Sequence, residues 1–287
     1  MSVTPAGEAF QQNGTWYQDY NVPDEVTGEM VIRRYMHNGT DWVPAPVKID
    51  LAKNIPNTEA GISLKKNVVN LDKCLVNLSK SSGINLGQHR ARVAVVIDFS
   101  GSMRPLYRNG DVQRTLTRLI PLGLRFDDNG EVDVWLFHDG YRQLEGMNLN
   151  NYETYVDRVM LGSGERFGCT SYSPVIRDVI NEYTVRNPSS MPAFVIFITD
   201  GANDDKRDTD RAIIDSSKNP IFIQFVGLDA SRLEEFAYLR KLDDLSGRPY
   251  DNTGFFKVTD FDKMNDTQLY NALLEQYVDW LRATGIK

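Results

Sequence analysis

The sequence has few of the side chains that usually bind soft metal ions or form covalent cross-links. Its 287 residues include two cysteines, Cys74 and Cys169, and three histidines. The cysteines lie far apart and outside any CxxC pattern, so we expect free thiols and no zinc site. No apolar run approaches the roughly 20 residues that cross a bilayer, and the N terminus lacks the basic flank and apolar stretch of a signal peptide. These absences predict a cytoplasmic protein without membrane insertion.

Positive charge is also scarce. The chain has 32 Lys and Arg against 39 Asp and Glu, for a net charge of −7, and the basic residues form no cluster beyond short pairs such as Lys65-Lys66. A nucleic-acid-binding surface needs a basic face that displaces counterions. Neither nucleic acid nor an anionic membrane is therefore an expected partner. Apolar residues at 41% and charged residues at 25% are typical of a soluble globular protein of one or two domains.

Three segments differ in composition. The first is polar, with aromatic residues among Gly, Pro and Asn, and two apolar stretches (residues 30–32 and 42–43) flank an Asn-Gly pair at residues 38–39. This pattern predicts a β-hairpin within a small accessory segment that is β-rich or partly disordered. The predicted segments are residues 1–60, a repeat-containing lead-in at 61–88, and a main domain at 89–287.

The repeat in the second segment has two interpretations. Leu64, Leu71 and Leu78 recur at a spacing of seven, and each is followed two residues later by lysine. Each copy reads apolar-polar-Leu, and because such alternation suits short extended pieces, we favour strand-like structure. The alternative is a short helix, since the apolar residues from Val68 to Leu78 also fit a 3-4-3 spacing. The Ser-Ser-Gly that ends at Gly83 would stop such a helix.

From residue 92 onwards, strand-like runs alternate with amphipathic helical patterns. Runs such as AFVIFIT are apolar on both faces, as expected of a parallel sheet covered by helices on both sides. We expect Ser173 to be an N-cap before Pro174, Pro121 to kink or stop its helix, and Gly285 to cap the last helix. The predicted fold is α/β: a doubly wound, mostly parallel sheet with helices on both faces. The predicted strands are residues 93–97, 132–137, 193–199, 220–226 and 254–258.

Polar side chains occur in three loops that this fold would bring to one edge of the sheet. The run VAVVID ends in Asp98 and is followed by Ser100 and Ser102, a second loop holds Thr170, and a third begins with Asp200. Ligands of open α/β sheets bind at the carboxyl ends of the strands, where the strand order reverses. Two carboxylates and three hydroxyls form a hard-oxygen donor set, which suits Mg²⁺ or Mn²⁺. Such a set would leave a coordination position for an outside ligand.

The motif DFSGS at 98–102, Thr170, and the triplet TDG at 199–201 together resemble the metal-ion-dependent adhesion site of von Willebrand factor A domains. The stretches RPLYRNGDVQ, LRFDDNGEVDVWLFHDG and FAYLRKLDDLSGRPYDNTGFF resemble the intracellular branch of tellurium-resistance proteins and copines, and the resemblance covers about residues 60–287. It implies that Ser100, Ser102 and Thr170 coordinate Mg²⁺, Mn²⁺ or Ca²⁺ through their hydroxyls. It also implies that Asp98 and Asp200 hold the ion directly or through water.

Some residues near these loops depart from the family pattern or suggest other chemistry. The second loop reads GCTS at 168–171 where the family usually has Gly-Gly-Thr-Asn, so Cys169 lies beside the predicted metal ligand. Asp229 adds a carboxylate near the same edge. The pair His138-Asp139 follows a strand, and we interpret it as structural because one such pair in a turn seldom forms a catalytic site.

The leading hypothesis is a metal-dependent protein–protein interaction module that is not an enzyme. The ion would accept an Asp or Glu of a partner protein, and the resemblance implies a scaffold in a tellurium-resistance or related stress-response system. One alternative is a phosphatase-like hydrolase with an aspartyl-phosphate intermediate. It is disfavoured because such enzymes carry a second Asp as acid/base two residues after the nucleophile, and Ser100 stands there. Another alternative is a structural component of a phage or large particle, with residues 1–60 docked on a larger body.

Overall fold

In the structure, which is a computed structural model, the chain forms two compact units, residues 1–50 and 51–287. None of the helices in its described ranges combines the length and apolar character needed to cross a bilayer. The described residues are 4–12, 15–23, 30–37, 42–44, 55–127, 129–201, 203–228, 236–258 and 263–286.

The first unit contains an antiparallel sheet. Its described strands are β1 (Thr4–Pro5), β2 (Phe10–Gln12), β3 (Thr15–Pro23), β4 (Met30–His37) and β5 (Trp42–Pro44). The strand order is β1-β3-β4-β5, and β2 pairs with β3. The two arms of the predicted hairpin pair with His37 opposite Trp42. The Asn-Gly turn between them lies outside the described residues.

The second unit is built around a six-stranded mixed sheet in the order β11-β10-β9-β6-β7-β8. Neighbouring strands are parallel except for β8, which pairs antiparallel with β7 at one edge. From the centre of the sheet, the chain proceeds from β6 to β7 and β8 on one side and from β9 to β10 and β11 on the other. The switch point, at which the strand order reverses, therefore lies between β6 and β9. The strands are β6 (Arg92–Asp98), β7 (Asp133–Phe137), β8 (Tyr141–Gln143), β9 (Ala193–Thr199), β10 (Ile221–Leu228) and β11 (Thr253–Val258).

Helices cover both faces of this sheet, which confirms the predicted α/β fold. One face packs on α4, α5 and α6 through a core that includes Trp135, Phe137 and Phe197. On the other face, α3 and α7 pack against the strands and α1 packs on α3 and α7. Every residue of β6, β9 and β10 is buried, as expected of strands covered on both sides. The α-helices are α1 (Glu59–Ser82), α2 (Arg104–Arg108), α3 (Asp111–Phe126), α4 (Ser173–Asn181), α5 (Lys206–Ser216), α6 (Ala237–Asp243) and α7 (Asp266–Thr284).

The strand-like interpretation of the Leu-x-Lys repeat is wrong, because residues 59–82 form the single helix α1. A spacing of seven residues corresponds to about two helical turns. Here the seven-residue period, which predicts a helix, describes the structure, and the two-residue alternation within each repeat does not. Thr58 caps the start by accepting the N–H of Gly61 at 3.0 Å, and Gly83 ends the helix with a left-handed φ of 78°. The inner face buries Leu64 and Leu71 completely.

Two local predictions about helix ends are also corrected: the stop, though not the kink, that we expect at Pro121, and the N-cap that we expect at Ser173. Pro121 does not stop its helix, because α3 runs through it to Phe126. Burial of Leu119, Ile120 and Leu122 around it offsets the roughly 3 kcal/mol cost of an interior proline. Ser173 is the first residue of α4 and its side chain makes no cap.

We predict that Leu71→Ala destabilises the protein by about 2–5 kcal/mol, because it removes a fully buried side chain and leaves a cavity. The matched variant Val69→Ala, two residues away on the exposed face of α1, should change the free energy of unfolding by less than about 0.5 kcal/mol. Urea unfolding measures both values. Equal losses would contradict the helix, since an extended segment would place the two side chains on the same face.

Candidate metal centre

The first of the three loops begins with Asp98, whose side chain is buried completely at the carboxyl end of β6. Its Oδ1 accepts the backbone N–H of Ser100 at 2.7 Å, and its Oδ2 accepts the hydroxyl of Thr199 at 2.7 Å. Thr199 gives its only hydroxyl proton to Asp98, so the Tyr172 hydroxyl at 2.9 Å donates to Thr199. Hydrogen bonds from two central strand ends therefore fix both carboxylate oxygens.

The two serines of the first loop lie side by side. The hydroxyl oxygens of Ser100 and Ser102 are 3.0 Å apart. Ser100 is buried and precedes the short 3₁₀ turn Gly101–Met103, which contains the half-buried Ser102 and leads into α2. The Tyr107 hydroxyl donates to the backbone carbonyl of Asp98 at 3.0 Å and secures α2 against the strand. This loop thus presents two neighbouring hydroxyl oxygens above a buried carboxylate.

The second loop is attached to the first by backbone pairing. Ser100 and Gly168 form a parallel bridge, with hydrogen bonds from the Gly101 N–H to the Gly168 carbonyl at 3.0 Å and from the Gly168 N–H to the Phe99 carbonyl at 3.2 Å. The Phe99 ring stacks on Phe167 with a centroid distance of 4.0 Å. The backbone approach is close at Gly168, because a Cβ there would lie 2.4 Å from a carboxylate oxygen of Asp139 and 3.1 Å from the Cβ of His138 and would displace the Asp139 side chain. This attachment places Thr170, which is buried, at the same sheet edge.

The third loop holds the second loop from the other side. The Asp204 N–H donates to the Thr170 carbonyl at 2.9 Å, and the Asp204 carboxylate accepts the Thr170 N–H at 3.3 Å. The Asp205 carboxylate accepts the N–H groups of Tyr172 at 2.9 Å and Ser173 at 2.8 Å. Asp205 therefore does the N-capping of α4 that we predicted for Ser173.

The sequence does not single out Asp205, because it lies in the acidic stretch 200–210 and such a stretch is typical of a solvated loop. Its capping partners lie 32 and 33 residues earlier in the chain, beyond the three-residue spacing of a local cap. The sequence also does not indicate that Thr199 and Tyr172 support Asp98, because Thr199 looks like an ordinary strand residue and Tyr172 like a residue at the start of a helix. The only signal for a supporting role is that each carries a hydroxyl at the sheet edge.

Asp98 and Asp200 are both buried and influence each other electrostatically. Burial, followed by the negative charge of Asp200, raises the pKa of Asp98 to about 7, while hydrogen bonds from Thr199 and Ser100 act in the opposite direction. Two buried carboxylates at one strand edge destabilise each other's charged forms. A divalent cation would relieve that repulsion, and the surrounding hydroxyls are oxygen ligands that Mg²⁺, Mn²⁺ and Ca²⁺ accept. The donor set therefore fits a hard cation.

The structure brings all five predicted site residues to the carboxyl edge of the sheet: Asp98, Ser100, Ser102, Thr170 and Asp200. Within the described ranges, no group of three or more His, Cys, Asp or Glu is arranged to hold a metal. The candidate site is of another kind, since hydroxyls supply most of its donors.

The residues that depart from the family pattern lie in different places. Cys169 is exposed, and Asp229 is outside the described residues. The ring of His138 lies between two carboxylates, with Nδ1 at 2.8 Å from Asp139 and Nε2 at 3.3 Å from Glu165. The carbonyl of His138 accepts the Ser171 N–H at 2.9 Å. His138 thus ties the second loop to the end of β7.

Comparison with known families and proteins identifies relatives of the second unit. The family model described as the vWA domain found in the TerF C terminus matches residues 90–287. A protein of Bacillus subtilis strain 168, YcbR, which is described as uncharacterized, is 41% identical over 194 residues. That alignment covers 67% of this chain and 78% of YcbR.

Similar solved structures include other vWA domains at low sequence identity. The SpRpn10 VWA domain is 11% identical with a TM-score of 0.46, and the match covers 65% of this chain and 95% of that one. Proximal thread matrix protein 1 of the mussel byssus, solved with a zinc-occupied MIDAS motif, is 15% identical with a TM-score of 0.47. That match covers 66% of this chain and 46% of the byssus protein.

We predict that Asp98→Asn stabilises the metal-free protein at pH 8. Because the pKa of Asp98 is raised from 3.8 to about 7, the folded state keeps a proton that the unfolded state releases. The stabilisation from this proton is complete below about pH 4 and is lost as the pH rises through about 7. Relative to Asp98→Asn, wild type should lose on the order of 2–3 kcal/mol between pH 5 and pH 8. Urea unfolding in chelator measures this difference, with Asp208→Asn as the exposed control. Parallel pH profiles for wild type and Asp98→Asn would contradict the assignment.

Proposed function

We propose a metal-dependent binding function for this chain, which belongs to the family of von Willebrand factor A domains found in the TerF C terminus. In this proposal, Mg²⁺, Mn²⁺ or Ca²⁺ is held by the hydroxyls of Ser100, Ser102 and Thr170, with Asp98 and Asp200 binding directly or through water. The ion keeps a coordination position for an Asp or Glu of a partner protein. The chain then acts as a protein–protein interaction module and not as an enzyme.

The observation that carries the proposal is the burial of Asp98 beside Asp200 under a rim of hydroxyls at the switch point of the sheet. Hydroxyl ligands are neutral, so they leave more of the charge of the ion available to an incoming carboxylate than carboxylate ligands would. The loops are held to one another by backbone hydrogen bonds. They can therefore present the ion without first being ordered by a partner, which lowers the entropic cost of binding.

The contacts of Asp98 favour binding over hydrolysis. An aspartyl nucleophile must present a carboxylate oxygen to the phosphoryl group. Asp98 is fully buried, and its two oxygens accept hydrogen bonds from Ser100 and Thr199. The acid/base position two residues later is Ser100, whose hydroxyl contacts Ser102. These contacts disfavour Asp98 as the nucleophile of a hydrolase.

The cellular setting is proposed on family membership. We place the chain as a scaffold in a tellurium-resistance or related stress-response system of the cytoplasm. The only observation that supports a role as a component of a phage or large particle is the small sheet of the first unit. The donor set at the sheet edge favours the scaffold because it provides a reversible, metal-dependent contact.

We predict that the full chain binds Mg²⁺ and Mn²⁺ at one site at pH 8, as measured by titration calorimetry. Thr170→Ala removes one proposed hydroxyl ligand and should weaken binding by roughly tenfold or more. Ser171→Ala is the matched control, because it removes the neighbouring hydroxyl, and should bind as wild type does. A partner captured from native lysate should be lost with Thr170→Ala and with chelator.

Three outcomes would contradict this function. Absence of divalent-ion binding, or equal binding by wild type and Thr170→Ala, would remove the metal site. Metal-dependent turnover in a broad phosphatase screen, lost in Asp98→Ala, would replace the binding module with a hydrolase.

A second prediction concerns Asp205, which contacts the second loop but is not among the proposed ligands. Asp205→Ala removes the acceptor for the Tyr172 and Ser173 N–H groups, so the second loop loses its anchor two and three residues after Thr170, and Thr170 is held less firmly. We expect Mg²⁺ affinity to fall about 10- to 100-fold, the range typical of residues that orient metal ligands. Asp208→Ala, in the same acidic run but exposed, should leave affinity unchanged. Equal effects of the two variants in calorimetry would show that Asp205 does not position the loop.

A further inference from the structure

The outer face of α1 carries an unusual row of side chains. Ile62, Val69 and Val76 are 62%, 50% and 52% exposed, and each follows the previous one after seven residues. Exposed lysines, Lys66, Lys73 and Lys80, lie four residues after each of them. At 100° per residue, all six side chains fall within an arc of about 80° on the helix. The row is about 27 Å long, since 18 residues at 1.5 Å each separate Ile62 from Lys80. We call these six residues the outer stripe.

The inner face of α1 fixes the direction of the outer stripe. Leu64, Leu71 and Leu75 are buried, and the Cys74 thiol contacts the Thr267 carbonyl of α7 at 3.6 Å. Asn70 donates to the carboxylate of Asp266 at 3.1 Å. Because these contacts leave the helix no freedom to rotate, the outer stripe cannot turn into the core. Its exposure is a property of the packed unit.

The spacing of the outer stripe is that of a coiled-coil seam. Its members follow one another at intervals of four, three, four, three and four residues, which is the alternation of d and a positions in a heptad repeat. Ile62, Val69 and Val76 occupy one kind of seam position, and the three lysines occupy the other. β-Branched residues at seam positions pack against a facing helix, whereas scattered surface apolar residues have no such register.

The positive charge of the outer stripe favours an acidic partner helix over a second copy of the chain. Residues 59–82 contain four lysines against Glu59 and Asp72, and Asp72 already pairs with Arg125 of α3. The stripe is therefore basic on a chain whose net charge is −7. A second copy of the chain would place lysine against lysine along the seam, and charged residues at seam positions act against such pairing. A helix with acidic residues facing the three lysines would complement both the charge and the spacing.

A membrane surface fits the outer stripe less well. Interfacial helices bury broad apolar faces that are rich in Trp, Phe and Leu. This face offers three β-branched side chains that alternate with lysine. Its narrow width suits one helix.

We propose that the outer stripe of α1 binds an amphipathic helix of a partner protein that presents glutamate or aspartate opposite Lys66, Lys73 and Lys80. This surface rests on α1 alone and does not depend on the metal centre. With both surfaces, the chain would join two partners, one through an ion and one through a helix.

The test uses the full chain and a designed, fluorescently labelled peptide of three heptads. The peptide carries leucine at d positions, glutamate at a positions and alanine or glutamine elsewhere. A second peptide with lysine at the a positions is otherwise identical. Fluorescence anisotropy should show that wild type binds the glutamate peptide at least tenfold more tightly than the lysine peptide, and that chelator has no effect.

Single variants of the outer stripe, compared with matched surface variants, test whether its residues contribute to peptide binding. Lys73→Glu and Val69→Ser should each weaken binding of the glutamate peptide about tenfold, and Lys73→Glu should improve binding of the lysine peptide. Lys218→Glu and Val185→Ser change exposed residues outside the outer stripe and should bind as wild type does. Circular dichroism and Mg²⁺ calorimetry confirm that the variants keep the fold and the metal response of wild type.

Several results would overturn the inference. Wild type that binds both peptides alike, or neither, would contradict the charge and seam argument. Binding to vesicles of phosphatidylserine that is lost in Val69→Ser would instead assign the stripe to a membrane. Self-association in analytical ultracentrifugation that is lost in Val69→Ser would assign it to a second copy of the chain. None of these results would alter Mg²⁺ binding, so failure here is distinct from failure of the proposed function.

Discussion

The carboxylate of Asp98 is buried at the end of a central strand beside a second buried carboxylate, and water cannot solvate its charge. Such a placement opposes folding of the charged form unless a cation or a proton compensates it. The rest of the candidate site maintains this arrangement. Thr199 and Ser100 hold the oxygens of Asp98, backbone pairing attaches the second loop, and Asp205 caps the helix that follows it. The cost of two neighbouring buried charges makes the sheet edge receptive to a divalent ion.

How much could be predicted from the sequence depended on the range of the interactions involved. Five of the six strands of the main sheet and the loops at their ends were predictable, because two-sided burial gives continuous apolar runs and parallel strands bring their carboxyl ends together. The edge strand β8 was not predicted, since its three residues are all exposed and form no apolar run. The helix α1 could not be predicted, since its short apolar-polar-Leu units resemble strand alternation and only the seven-residue period across them indicates a helix. The capping role of Asp205 could not be predicted either, because its partners are 32 and 33 residues away in the sequence. Lys66, Lys73 and Lys80 look unclustered in sequence, and only helical winding aligns them.

The two proposed surfaces, the metal centre and the outer stripe, would use different physical chemistry. At the sheet edge, the proposed recognition depends on a charge held in a buried oxygen site, so it should respond to chelation and pH. On α1, the proposed recognition depends on apolar packing and on lysine charges near the surface, so it should respond to salt. If both proposals hold, the chain would hold two proteins together. Such an arrangement is consistent with the scaffold role proposed for the chain.

The central claim is that one divalent ion binds among the three loops. Anomalous diffraction from crystals grown with Mn²⁺ tests it most directly, because the peak locates the ion without assuming its ligands. We predict a single strong peak in contact with the hydroxyls of Ser100 and Ser102 and close to Thr170, Asp98 and Asp200. A peak elsewhere on the chain, or no peak at saturating Mn²⁺, would contradict the account.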